Sequence, residues 1–175
     1  MPEVDMPTVD ATETLSIIPA TKKEMAHVIM LAHRIWPDAY RDILTSEQIE
    51  NMLLRIYNYE SLQKETDAGH QFHVAYMGHM PVGYASAYLE GDVIWLKKLY
   101  VDRDYKGKRI GVRLMHTAVS ALLPATEIRL LVNPDNKPAQ NFYTHMGFSK
   151  IAEVPVQMGD WHFNDHLFSM SLTNE

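Results

Sequence analysis

Trp95–Val119, WLKKLYVDRDYKGKRIGVRLMHTAV, divides into three pieces. An apolar strand runs through Ile94, Trp95, Leu96, Leu99, Tyr100 and Val101. A short basic turn with two glycines follows, Tyr105-Lys106-Gly107-Lys108-Arg109-Ile110-Gly111. Then Ile110, Leu114, Ala118 and Leu122 recur every four positions, which predicts a helix. The first turn of a helix has backbone N–H groups without partners and a partial positive charge. Glycines let an anion approach such a backbone closely. Strand, loop and helix start therefore form a candidate phosphate site, with Lys106, Gly107, Lys108, Arg109, Ile110, Gly111 and Val112 as its residues.

Charge points the same way. The 175 residues carry 16 Lys+Arg against 22 Asp+Glu, a net charge of −6. Yet Lys97, Lys98, Arg103, Lys106, Lys108, Arg109 and Arg113 fall together, with only Asp102 and Asp104 among them. An acidic chain with one concentrated basic loop fits a specific anionic ligand, whereas a nucleic-acid binder carries its basic excess over a whole face. A charge run is more often a solvated loop; the glycines at the helix start weigh against that here. No Gly-Lys-Ser/Thr follows, so this is not a nucleotide P-loop.

A second stretch is more specific. Leu131-Val132-Asn133 closes a short apolar strand, and Asn136-Lys-Pro-Ala139-Gln-Asn-Phe142-Tyr143-Thr-His-Met-Gly147-Phe148 follows. Asp135 or Asn136 can cap this helix, and Pro138 sits in the first turn, where a missing N–H costs nothing. Gly147 is placed to end it as a left-handed glycine.

Together these stretches resemble the GNAT superfamily of acetyl-CoA-dependent N-acetyltransferases. The family's loop reads Gln/Arg-x-x-Gly-x-Gly/Ala, matched here by Lys106, Arg109 and Gly111, with Lys in the first place and Arg in the middle one. Its helix reads Asn-x-x-Ala-x-x-Phe/Leu-Tyr-x-x-x-Gly-Phe, and every named position is present. The resemblance implies an α+β, three-layer fold: a mixed, twisted seven-stranded sheet flanked by helices. It implies acetyl-CoA as co-substrate, its pyrophosphate on the 106–112 loop. Its pantetheine arm would lie along the backbone of Leu99, Tyr100 and Val101, beside Asn133 and Asn136, with the Leu99 N–H near the acetyl oxygen. Tyr143 would protonate the departing thiolate. Outside the motif, an aromatic at that position would be read as interface packing.

The acceptor is less defined. The segment Trp36…Tyr40-Arg-Asp-Ile-Leu…Glu47-Gln48…Met52-Leu and the ending Val156…Gly159-Asp160…Asn164-Asp165-His166…Met170 are similar to bacterial spermidine/spermine N-acetyltransferases. That likeness implies a small primary amine, polyamines favoured, attacking directly in a ternary complex. Trp36, Tyr40 and Trp161 can pack on an aliphatic cation, with Asp38, Asp42 or Asp160 balancing its charge. Glu90, Asp92 and Asp160 lie in turns able to border a cleft, though turn acids are usually plain surface residues, and deprotonation through waters needs no single base. The alternatives are a protein N-terminus or antibiotic amine as acceptor, or a non-catalytic acyl-CoA-binding module.

The remaining chain completes the order. Residues 1–12 read as a loose acidic arm and 13–175 as one domain. Leu15–Ile18 is a strand; Thr21 to Glu24 is a capping box opening a helix that Trp36-Pro37 should end. Ser46 should cap the next helix, and Ser61–Glu65 a short turn. A hairpin follows over Phe72–Tyr76 and Val82–Leu89, then the strand to Val101, another at Ile128–Val132 and two final strands. There is no run of about 18 apolar residues and no basic, apolar leader. Zero cysteines exclude thiol catalysis and suit the cytoplasm. The paired His70/His73 and His162/His166 lack a third ligand, so no metal is expected. No nucleic-acid or membrane partner is expected, and a homodimer is compatible with the resemblance.

Overall fold

The computed structural model describes residues 14–173; the arm expected over 1–12 lies outside them. In chain order the elements are β1 (Leu15–Pro19), α1 (Lys22–Ala39), α2 (Ser46–Ile56), α3 (Tyr59–Asp67), β2 (Gln71–Met77), β3 (Met80–Glu90) and β4 (Val93–Val101). A 3-10 turn at Arg103–Tyr105 leads to α4 (Ile110–Ser120), β5 (Glu127–Val132), α5 (Lys137–His145), β6 (Ser149–Met158) and β7 (Trp161–Ser171). The strands form one mixed sheet in the order β1-β2-β3-β4-β5-β7-β6, and only β4 and β5 run parallel.

Each sheet face buries its own apolar cluster. Val28, Leu31 and Trp36 of α1, with Leu53 of α2 and Leu62 of α3, pack against Phe72, Val74 and Tyr84 on one side. Ile110, Leu114 and Ala118 of α4 pack against Ala75, Val82, Ile94, Leu96 and Ile128 on the other. This gives the three layers expected of an α+β sheet with helices on both faces.

Several boundaries differ from the sequence-based expectation. Helix α1 does not stop at Trp36-Pro37 but runs to Ala39 with Pro37 inside it. Pro37 falls in the final turn, where a missing N–H removes one bond, and Tyr40 N–H still reaches the Trp36 carbonyl at 3.0 Å. Burial of the Trp36 side chain, 5% exposed, offsets that loss. The cap of α2 is Thr45 rather than Ser46: its Oγ1 accepts from Gln48 N–H (3.1 Å) and its own N–H donates to Gln48 Oε1 (2.9 Å). The short turn at 61–65 is a full helix because Asn58 Oδ1 caps it from Ser61 N–H at 2.8 Å.

One irregularity positions the site. Ser86 of β3 pairs with Lys98 of β4, but Ala87 pairs with Leu96, so Lys97 is an extra, bulged residue. The parallel pairing of β4 with β5 ends at Trp95↔Arg129, just before it. The bulge also changes the facing. Ile94 and Leu96 belong to the α4-side cluster, as do Leu99 and Val101 beyond it, while Lys98 is turned to the other side and buried. Lys98 Nζ sits 2.7 Å from Glu65 Oε2 of α3, and Lys97 Nζ 3.0 Å from Glu65 Oε1.

Burial pushes the Lys98 ammonium down to about 8, against the attraction of Glu65. Burial also opposes the Glu65 carboxylate, yet the two lysines hold it below its usual value. A buried cation stripped of its partner is strongly destabilising, by about 3–5 kcal/mol. Glu65→Gln should therefore lower the unfolding free energy by about that much at neutral pH. Because the lone Lys98 is depressed further, the unfolded chain binds its proton more readily, and stability must rise with pH through and above the wild-type value. Urea titrations at pH 7 and at about pH 9.5 should show the gap to wild type narrowing at the higher pH.

Candidate active site

Beyond Trp95, β4 has no β5 partner, while β5 remains paired to β7 from Glu127 to Val132. The two strands splay, and the exposed edge of β4 borders the opening. Backbone groups of successive strand residues point to opposite edges. Asp102 N–H donates to the Val82 carbonyl of β3 at 2.8 Å. Two residues earlier, Tyr100 opposes Tyr84 and faces β3 as well. The backbone groups of Leu99 and Val101 consequently face the gap, and Tyr100 contributes its side chain instead of its backbone.

A cavity of about 540 Å³ fills this opening. Leu99, Tyr100 and Val101 form one wall, the loop and helix start from Lys106 to Val112 (without Lys108) another, and Asn136, Phe142 and Tyr143 of α5 the third, with Tyr40 at the end of α1. Sequence reasoning had singled out most of these. It did not name Tyr105, Pro138, Ala139 and Phe142 as site residues; Ala139 and Phe142 are positions of the helix motif, and their part in lining the cavity shows only in the structure. It also missed Gly83, where a Cβ would lie 2.8 Å from the Tyr100 carbonyl and 3.1 Å from Leu114, so only glycine lets β3, β4 and α4 meet there.

The loop backbone explains its composition. Gly107 has φ +84 and Arg109 has φ 59, ψ 22, a left-handed conformation that glycine adopts most easily. Arg109 occupies the position where the resembling pattern carries glycine. This turn starts α4 without a side-chain cap, so the first N–H groups, from Ile110 to Val112, have no intrahelical partner and open toward the cavity. A Cβ on Gly111 would meet Phe142 at 3.6 Å and Val101 at 3.7 Å. Of the clustered bases, Lys97 and Lys98 are spent on Glu65, and Arg103 Nη1 lies 2.9 Å from Asp38. Lys106, Lys108, Arg109 and Arg113 have no acidic partner among the described residues. Orphan N–H groups and unpaired cations suit a phosphate.

The hydroxyls form a cluster at the other end of the cavity. Tyr40 and Tyr100 share a hydrogen bond of 2.8 Å. Tyr143 is wedged between Phe142 and Phe148, with ring centroids 5.3 and 5.6 Å away. Burial raises all three phenols above their ordinary value; neighbouring Tyr40 adds to the shift of Tyr143, and the Asp165 carboxylate to that of Tyr40. Asn136 Oδ1 caps α5 by accepting from Ala139 N–H at 3.3 Å, which leaves its amide N–H groups for a ligand.

Several expected residues are placed elsewhere. Trp36 is buried behind Tyr40, centroids 4.7 Å apart, and is a packing residue. Glu90 closes the β3–β4 hairpin opposite Val93, six residues and roughly 20 Å along the strand from Tyr84; Asp92, in the same turn, accepts from Thr126. Asp160 is exposed at the tip of the β6–β7 hairpin, whose Gly159 rests against Arg55 of α2. Lys108 lies outside the cavity lining, its Nζ 5.6 Å from the Tyr105 ring centroid. Asn133 shapes the turn before α5, its Oδ1 accepting from Asp135 N–H at 2.9 Å. The expected counter-charges Asp38 and Asp42 do not serve either: Asp38 is held by Arg41 and Arg103, and Asp42 is exposed.

Comparison with known proteins agrees with this geometry. Residues 30–148, more than half of the chain, match the acetyltransferase (GNAT) family, and the chain belongs to it. It is an acetyltransferase of that family. Similar solved structures include the PaiA N-acetyltransferase from Thermoplasma acidophilum in complex with coenzyme A, at 21% identity and a TM-score of 0.78, covering 90% of this chain and 99% of that one. The ribosomal-protein-S18-alanine N-acetyltransferase from Escherichia coli is 12% identical with a TM-score of 0.70, covering 93% and 96%. Arabidopsis thaliana Naa50 in complex with a bisubstrate analogue is 18% identical with a TM-score of 0.61, covering 90% and 99%. Among curated protein sequences nothing matches.

The glycine at 111 gives a direct test of the loop. An added methyl stays in ordinary contact with Phe142 and Val101, two residues that line the cavity with Gly111, and takes up space there. Gly111→Ala should keep or raise the thermal midpoint, because alanine favours helix by about 0.5–1 kcal/mol. Coenzyme A binding should weaken by about 1–3 kcal/mol, the usual consequence of an extra methyl in a filled space. Calorimetry and thermal melts on one preparation would show the two changes together.

Proposed function

We propose that the protein is an acetyl-CoA-dependent N-acetyltransferase acting on a primary amine of a small molecule, polyamines favoured, by direct attack in a ternary complex. The observation that carries this reading is the convergence of the free β4 edge, the uncapped start of α4 and the Tyr143 hydroxyl on one cavity. A relative of the same fold is described in complex with coenzyme A, which supports that co-substrate. In this reading Ile110, Gly111 and Val112 offer their N–H groups to the pyrophosphate, with Lys106 and Arg109 adding charge. Leu99 and Val101 hold the pantetheine amides, as β-edge groups hold a strand, and Asn136 donates from its amide.

Transfer then proceeds as the geometry allows. The acceptor must be neutral, although an alkylamine has a pKa of about 10.4. Its attack on the thioester carbonyl makes an oxyanion, and in this reading the free Leu99 N–H on the β4 edge is its donor. Collapse expels the coenzyme A thiolate, and the nitrogen, cationic after attack, releases one proton to solvent to leave the neutral amide. Burial keeps Tyr143 protonated across the physiological range, so its hydroxyl is always available to donate. A thiol near pKa ~8.5 is a weaker base than the raised phenolate, so complete proton transfer is uphill. The hydroxyl therefore acts on charge as it develops in the transition state rather than by equilibrium titration.

Tyr143→Phe keeps the ring packed on Phe142 and Phe148. A positioned acid contributes about 10²–10⁴-fold in rate. The loss should appear in kcat, with the Kd for acetyl-CoA nearly constant; a packing role would instead lower stability and spare the rate. The substrate class is tested separately by thiol release with diamines, polyamines and peptide N-termini. Turnover of the peptides alone would replace the small amine by a protein N-terminus as acceptor.

A further inference from the structure

Strand β7 continues past the end of β5. Val132, the last residue of β5, pairs with His166, so Asp165 through Trp161 border the gap with no β5 neighbour. Alternate residues share a face. Trp161 and Phe163 pack on the cluster containing Tyr40 and Tyr100, and Asp165 belongs to the same alternate set. Its carboxylate is close enough to Tyr40 to raise that hydroxyl, and Tyr40 in turn acts on Tyr143. On the other edge of β7, it is opposed by Val154 of β6, which has no charge.

Asp165 has neither an ion-pair nor a hydrogen-bond partner among the described residues. The nearby His166 lowers its pKa only in part, and His166 Nε2 lies 3.7 Å from Glu153. Partial burial raises Asp165 instead. Asp38 is held by Arg41 and Arg103, Asp102 by Arg34 and Glu65 by Lys97 and Lys98, while Asp104 and Asp135 are exposed to water. A partly buried carboxylate without a cation, on the strand face that also carries Phe163 and Trp161 and acting on Tyr40, is an unfavourable arrangement that a bound organic cation would relieve.

We propose that Asp165 holds the second, unreacting ammonium group of a dicationic acceptor, and so selects diamines and polyamines over monoamines. The inference rests on the small-amine reading above and assigns its specificity. The reacting nitrogen is not the one held here. A carboxylate stabilises the protonated amine and raises its pKa, which makes that nitrogen a poorer nucleophile. Tyr40 and Tyr143 both line the cavity, whereas Asp165 lies on β7 outside that lining and acts on Tyr40. This leaves the other end of an extended amine to reach the thioester.

The test compares 1,4-diaminobutane with n-butylamine at saturating acetyl-CoA. Wild type should show a higher kcat/KM for the diamine. Asp165→Asn should lower the diamine value about 10–100-fold, the range of a charge-assisted hydrogen bond, through KM. It should leave the butylamine value and the Kd for coenzyme A within roughly 2-fold, well inside that range, and Asp165→Glu should restore part of the preference. Equal losses for both amines, or no loss for either, overturn the assignment while the small-amine function stands. Wild-type turnover of neither amine, alongside turnover of a peptide N-terminus, overturns both.

Discussion

The bulge at Lys97 is the constraint on which the site depends. A parallel pair such as β4 and β5 would otherwise continue its hydrogen bonds to the strand ends. One extra residue rotates β4 out of register and turns it from its neighbour, and the edge so exposed is the one that faces the cavity. The bulge has its own anchor. Lys97 and Lys98 both reach Glu65 of α3, and Lys98 is buried against the Tyr57 and Phe72 rings at 5.8 and 5.6 Å. Burying an ammonium is unfavourable, as its lowered pKa shows. The ion pair is better understood as fixing where β4 bends than as adding stability.

The loop that follows completes the opening by a second departure from regular structure. Asp102 is tied on three sides: to Val82 through its N–H (2.8 Å), to Arg34 through Oδ2 (2.7 Å), and to Asp104 N–H through Oδ1 (3.0 Å). From that fixed point the chain turns through Gly107 and the left-handed Arg109 into α4. A non-glycine residue in this conformation is disfavoured by about 1–2 kcal/mol. Its surroundings hold it there, and the gain is a helix start with bare N–H groups and a guanidinium beside them. The preference for glycine in the resembling pattern thus has a backbone cause, which the arginine tolerates.

Much of this was legible in the sequence because it is local. The helix period after Gly111, the Asn136 cap and the Gly147 terminator (φ +105) appear as spacing and residue type, and they carry the family resemblance that implied the fold. Residues whose roles depend on distant pairing were not legible. The turn at Glu90 was legible, but not that its hairpin lies at the end of β3 and β4 away from the opening. Pro37 reads as a helix end until the burial of Trp36 among Tyr40, Tyr57 and Tyr100 is seen to hold the last turn. Asp165 lay within a quoted segment yet stood out only when β7 was seen to outrun β5.

The hydroxyl cluster also limits how the acceptor loses its proton. Tyr40, Tyr100 and Tyr143 are all raised by burial, so none is a phenolate near neutral pH. They can donate hydrogen bonds and cannot serve as the base. Asp165, proposed above to hold the second ammonium group, is too weak a base to neutralise an alkylamine of pKa ~10.4. The fraction of amine already neutral in solution is then the reacting species, delivered through the open side of the cavity. A diamine suits this division. One nitrogen stays charged and anchors the molecule, and charge repulsion between its two ends lowers the pKa of the other toward the range in which it can attack. A carboxylate that holds the charged end of a diamine therefore leaves the free end unhindered.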